Sequence, residues 1–224
     1  MVCSCKSSKI LSATFEGDAI NSPPVKNLPG DPSGDQIEYH DAVAPLLKVQ
    51  NSGISGSKAL HYTTLVINNP PPLAARYVGF KGVGTDLTET LWFTHTGQNM
   101  GSTILIFVSD GGGNPMARMR ISPDGEVGLA TSLNDGNYSN IIGNVGSETH
   151  TIVFTASPST LQYNVTITKE TGPAITATNK PMITTNVLQF KNPAYPTLSF
   201  LHPDNNATGN AYAIGSVLIT RKEP

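Results

Sequence analysis

Met116-Ala117-Arg118-Met119-Arg120-Ile121-Ser122-Pro123-Asp124-Gly125-Glu126-Val127-Gly128 decides the fold class. Its first half alternates with a period of two: Met116, Arg118 and Arg120 on one side, Ala117, Met119 and Ile121 on the other. That is the pattern of a strand with one buried face. Ser122-Pro123-Asp124-Gly125 follows as a hairpin turn, with Pro and Gly at positions of restricted or unusual dihedrals. A return strand is expected over 126–130.

The same grammar extends outward. Upstream, strands are expected over 9–15, 36–40, 46–50, 59–67, 76–81, 89–96 and 103–109. Downstream they are expected over 138–142, 150–155, 161–168, 174–178, 186–190, 197–201 and 213–220. In the strand over 89–96, Leu91, Phe93 and His95 share one face, and Trp92, Thr94 and Thr96 share the other. No window of helical length carries a sustained apolar stripe. The 21 Gly and 17 Pro are spread along the chain as turn residues rather than gathered in a linker. The expectation is all-β: residues 1–8 as a tail and 9–224 as one two-sheet antiparallel β-sandwich of jelly-roll type. First and last strands are expected to pair in one sheet.

Composition narrows the function classes. Charged residues make up 13% of the chain, against about 25% in a typical soluble domain, and the formal net charge is −2. No basic run suggests nucleic acid or a polybasic membrane surface. No stretch is long and apolar enough to span a membrane. The two cysteines are Cys3 and Cys5. A bond between them would close a tiny loop, and no second Cys/His cluster follows at zinc spacing. They read either as inert thiols or as lipidation sites of a bacterial lipoprotein, the only membrane link expected.

Three stretches together resemble the concanavalin A-like lectin/glucanase superfamily, which includes laminin G-like domains. They are Phe15-Glu16-Gly17-Asp18 with the Pro/Gly/Asp-rich loop after it, the hairpin from Met116 to Gly128, and His150-Thr151-Ile152-Val153-Phe154-Thr155 leading into Leu161-Gln162-Tyr163-Asn164-Val165-Thr166-Ile167. The terminal strand over 213–220 also fits. The resemblance implies a jelly roll and, by analogy of fold, glycan binding. The Glu-x-Asp-x-x-Glu strand of the superfamily's retaining glucanases is absent, and hydrolysis ordinarily needs two carboxylates about 5–9 Å apart. The resemblance therefore favours a non-catalytic module.

The candidate ligand-binding residues are Trp92, Tyr77, His95, Arg118 and Arg120. Trp92 can stack on a sugar ring or fill core volume. Arg118 and Arg120 point to one side and suit acidic sugars or carboxylates, or a plain solvent-exposed face. Asp18, Asp31 and Asp35 are candidate ligands for a structural Ca²⁺, or simply turn-capping side chains. The five histidines show no metal-ligand spacing. The reading is an exported, extracellular, periplasmic or cell-surface protein that binds a polysaccharide, a glycoconjugate or a protein partner. The alternatives are a polysaccharide hydrolase or lyase, and a structural surface module.

Overall fold

The computed structural model describes residues 9–24, 35–40, 47–64, 75–80, 89–109, 114–184, 196–203 and 209–221. Of 35–40, 63–64, 75–80 and 209–211 it describes the backbone. In chain order the strands are β1 (Lys9–Thr14), β2 (Asp35–His40), β3 (Leu47–Asn51), β4 (Lys58–Thr64), β5 (Ala75–Phe80), β6 (Leu91–Asn99), β7 (Ile104–Ser109) and β8 (Pro115–Ile121). Then come β9 (Glu126–Leu129), β10 (Asn140–Asn144), β11 (Thr149–Ser157), β12 (Gln162–Lys169), β13 (Ile175–Pro181), β14 (Thr197–Leu201) and β15 (Gly209–Thr220). The expected strand at 186–190, the tail at 1–8 and Cys3, Cys5 and Asp31 lie outside the described residues. Among the described residues, no helix is long and apolar enough to cross a membrane.

Two antiparallel sheets form a sandwich. One has eight strands in the order β13-β12-β11-β6-β15-β4-β3, with β1 added on β15. The other has seven, in the order β10-β9-β8-β7-β14-β5-β2. The expected pairing of the chain ends is present: Leu11 faces Ile219 and Thr14 faces Ser216.

The core lies between the sheets because each strand turns alternate apolar residues inward. In β6 these are Leu91 and Phe93, in β7 Ile104, Ile106 and Val108, and in β11 Ile152 and Phe154, all fully buried. The hairpin expected around Ser122-Pro123-Asp124-Gly125 is present between β8 and β9, closed by Gly125 N–H donating to the Ser122 carbonyl at 2.9 Å.

One facing expectation is corrected. Strict alternation groups Met116 with Arg118 and Arg120, but Met116 is fully buried in the core. The register shifts between Val108 and Ser109, which face Ala117 and Pro115, so Met116 sits in a bulge. A bulge inserts one extra residue and breaks strict alternation there.

Candidate functional site

The outer face of the seven-stranded sheet gathers Arg118 and Arg120 with aromatic side chains. Ala117 and Met119 of β8 enter the core, so Arg118 and Arg120 stand on the outer face. Phe107 of β7 faces Arg118 across the strands, and Gly128 of β9 faces Arg120. The missing side chain at Gly128 is what the local structure requires. A Cβ there would strike the Tyr138 carbonyl oxygen and lie 3.1 Å from Tyr138 Cβ. Tyr138 fills that space from the β9–β10 loop, with a left-handed backbone at φ 53°.

Asp135 holds the loop in shape. Its carboxylate accepts from Thr131 N at 2.9 Å, Thr131 Oγ1 at 3.0 Å, Ser139 N at 3.2 Å and Ser139 Oγ at 2.9 Å. These donors, the Thr131 N–H first, hold the carboxyl well below the usual carboxylate range. The loop in turn supplies the Leu133 carbonyl, which accepts from Arg118 Nη1 at 2.9 Å.

The result is a cationic and aromatic cluster. The Arg118 guanidinium carbon lies 4.9 Å from the Phe107 ring centroid and 5.9 Å from that of Tyr138. Arg120 also lies 5.9 Å from Tyr138 and pairs with Glu126 at 3.4 Å. The Tyr138 hydroxyl is buried near Arg118 with no partner in hydrogen-bonding geometry, and burial raises its pKa while Arg118 opposes the rise. Exposed Leu133 and Ile141 add apolar surface from the same loop and strand β10.

The residues singled out in the sequence divide among three places. Arg118 and Arg120 belong to the cluster just described. Tyr77 lies in the same register row, which runs Tyr77, Ser199, Phe107, Arg118 across β5, β14, β7 and β8. Trp92 is half-buried on the outer face of the other sheet, between Thr155 and Thr220. Its surroundings are rows of hydroxyl residues, such as Thr14, Ser216, Thr96, Thr151 and Thr168. Some of these groups are paired: Thr96 pairs with Thr151 at 3.2 Å, and Asn164 Oδ1 accepts from Asn179 N at 2.7 Å, while Thr94 Oγ1 is buried without a partner in hydrogen-bonding geometry.

His95 is fully buried and points between the sheets, out of contact with any surface ligand. Its partner there escaped the sequence reading. Tyr212 Oη lies 3.2 Å from His95 Nε2 and 2.8 Å from His150 Nε2, while His150 Nδ1 lies 2.9 Å from the Glu148 carbonyl. That carbonyl can only accept, so neutral His150 carries its proton on Nδ1. Tyr212 must then donate to His150 Nε2 and accept from His95 Nε2–H. This leaves His95 Nδ1 as a buried acceptor without a partner.

Of the proposed Ca²⁺ ligands, Asp18 is the one whose side chain is described. It is buried, and the Lys58 ammonium donates to its backbone carbonyl at 2.7 Å. Among the described residues, no three His, Cys, Asp or Glu side chains gather as metal ligands would. A separate open cleft of about 670 Å³ lies at one end of the sandwich, lined by Gln98, Asn99, Met100, Pro123, Asp124 and Ser147. Its amides are already used: Asn99 Nδ2 donates to the Ser122, Pro123 and Gly146 carbonyls, and Gln98 to that of Ser147.

No protein-family model matches this chain, and no curated protein does. Solved structures do. A winged bean acidic lectin, solved with methyl-α-D-galactose, has a TM-score of 0.52 at 10% identity over 93% of this chain and 97% of the lectin. The chain has the concanavalin A-like fold. Two other solved structures match over nearly the whole of this chain. One is a protein of unknown function from Shewanella oneidensis MR-1, with a TM-score of 0.53 at 12% identity over 96% of this chain and 88% of that one. The other is the binding domain of botulinum neurotoxin DC, solved with rat synaptotagmin II. It has a TM-score of 0.54 at 15% identity and covers 97% of this chain but 49% of that one.

Proposed function

We propose that this protein binds a carbohydrate, without turning it over, on the outer face of the seven-stranded sheet. One observation carries the reading. Arg118 is fixed between Phe107 and Tyr138 and by the Leu133 carbonyl, yet it has no ion pair among the described residues. A guanidinium positioned over the buried Tyr138 ring, beside the partly exposed Phe107 ring and the apolar rim of Leu133 and Ile141, has the elements of a sugar site: an apolar surface with polar groups at its edge. Among the described side chains, the two carboxylates beside the cluster are engaged. Glu126 pairs with Arg120, and Asp135, held ionised by its loop, is no proton donor for a leaving group. The lectin-like fold is consistent with this reading. The end cleft is a weaker candidate because its amides are already paired, and Trp92 because the hydroxyl rows around it bring no arginine to its face.

The test is a broad polysaccharide panel on the intact chain, with and without Ca²⁺, with released reducing and unsaturated ends assayed in parallel. Binding without product, weakened by Tyr138→Ala and unchanged by Trp92→Ala, is the expected result. Loss with Trp92→Ala alone would move the site to the other sheet, and product release would make the protein an enzyme. A Ca²⁺ requirement would bring in Asp18, Asp31 and Asp35. Export with a lipid on Cys3 or Cys5 is part of the same proposal, and fatty-acid labelling abolished by replacing both with Ser is its check.

A further inference from the structure

We infer that the bound sugar carries an anionic group, a carboxylate or a sulfate, and that Arg118 holds it. The inference rests on the carbohydrate reading above and adds the ligand's charge.

The two arginines of the face are not equivalent. Arg120 has a counter-charge in Glu126 at 3.4 Å. Arg118 has none among the described residues, although Asp135 lies in the same loop. The four donors from Thr131 and Ser139 turn the Asp135 carboxylate into the loop instead.

A guanidinium carries five N–H donors in a planar fork. Arg118 commits one of them, Nη1, to the Leu133 carbonyl. That bond and the Phe107 and Tyr138 rings set the plane of the fork without neutralising it. The remaining donors are half-buried and oriented, the arrangement that favours a bidentate oxyanion over a lone hydroxyl.

The rest of the molecule sharpens the choice. The hydroxyl rows beside Trp92 contain no ionisable side chain apart from Lys9 at the edge of one row. The formal net charge is −2, so an anionic polymer feels no attraction from the molecule as a whole. Recognition must be local, through Arg118 with Arg120 behind it. Leu133 and Ile141, exposed beside them, can take the C–H face of the ring that bears the anion.

Titration calorimetry on the intact chain tests this with two polymer pairs that differ in charge alone. Polygalacturonate is set against its methyl ester, and dextran sulfate against dextran. The expected result is at least tenfold preference for the charged member of one pair, and the pair that responds names the group. Arg118→Ala should weaken that binding by roughly 10- to 100-fold, the range of a lost charge-assisted hydrogen bond. Arg118→Lys, which keeps the charge and loses the fork, should recover only part of it. Unchanged melting of both variants excludes misfolding as the cause. Equal binding of charged and neutral members overturns the inference and leaves the carbohydrate reading standing. So does a neutral sugar found on the wider panel when neither charged polymer binds. Anion binding unaffected by Arg118→Ala overturns the assignment to this residue. Failure of every carbohydrate to bind overturns both.

Discussion

Tyr212 stands between two imidazoles that the core can keep only in their neutral forms together. Burial pushes His150 down to about 4 from the ordinary 6.5, against a small opposing effect of the Glu148 carbonyl. Burial, with His150 adding repulsion, pushes His95 well below its ordinary value. Both folded-state values lie below the unfolded ones, so the unfolded chain binds more protons between them. The stability held by neutral imidazoles is therefore complete above about pH 6.5 and is lost as pH falls towards 4, by about 3 kcal/mol for His150 alone. Urea midpoints between pH 7.5 and 4.5 should fall steeply, and a flat profile would remove the two histidines from the stability argument. Tyr212→Phe tests the same network at neutral pH. It leaves a buried acceptor on His150 and a buried donor on His95, and should cost about 2–4 kcal/mol in chemical denaturation. Room for the hydroxyl comes from Gly97, where a Cβ would strike Tyr212 Oη. None of this was legible in the sequence. His95, His150 and Tyr212 are far apart along the chain, and register alone brings β6, β11 and β15 side by side.

At the scale of elements, the candidate site depends on the β9–β10 loop more than on any strand. Asp135 makes its four hydrogen bonds within one short loop, at the protein surface. Asp135→Ala should therefore raise amide exchange across residues 131–139 and weaken ligand binding, with little change in the thermal midpoint. An unchanged exchange pattern would show that the loop keeps its shape without the carboxylate. Gly128→Val attacks the same site from beneath, because its side chain would occupy the place of Tyr138. Ligand binding should fall while the β8–β9 pairing, followed by amide protection of Met119 and Ile121, survives. The strands themselves were largely legible, because alternation and Pro/Gly turns are local signals. The turn from Ser122 to Gly125 and both flanking strands follow from thirteen consecutive residues. Arg118 and Arg120 were legible as a pair for the same reason. Phe107 was not, because β7 is apolar on both faces and its period is hidden. Tyr138 reads as the start of a strand, yet it is a loop residue whose left-handed backbone leaves no mark on sequence composition.

The whole molecule is closed by its two ends. Leu11 of β1 is fully buried against Ile219 of β15, and β15 also pairs with β4 and β6. One continuous core cluster runs from Ile10 to Ile219 and takes side chains from both sheets. A core shared in this way gives neither sheet an apolar face it can bury alone. The chain should therefore unfold as one cooperative unit, although its length alone would permit two domains. Trp92 reports on the eight-stranded sheet and far-UV circular dichroism on both, so their thermal transitions should coincide. Leu11→Ala places the test at the closing strand. It should cost about 2–5 kcal/mol, as a buried leucine truncation does, and move both transitions by the same amount. A shift in the tryptophan signal alone would mean that the sheets melt separately and that the closure by β1 and β15 is local. The pairing of sequence-distant ends also sets the folding rate, since Lys9 must find Thr220 before the last strand is in place. Loop closure over that separation is costly, and refolding should fall in the millisecond-to-second range of β-sandwiches rather than the microseconds of helical bundles. Stopped-flow tryptophan fluorescence would show it, and a microsecond main phase would mean that the long-range pairing is not part of the barrier.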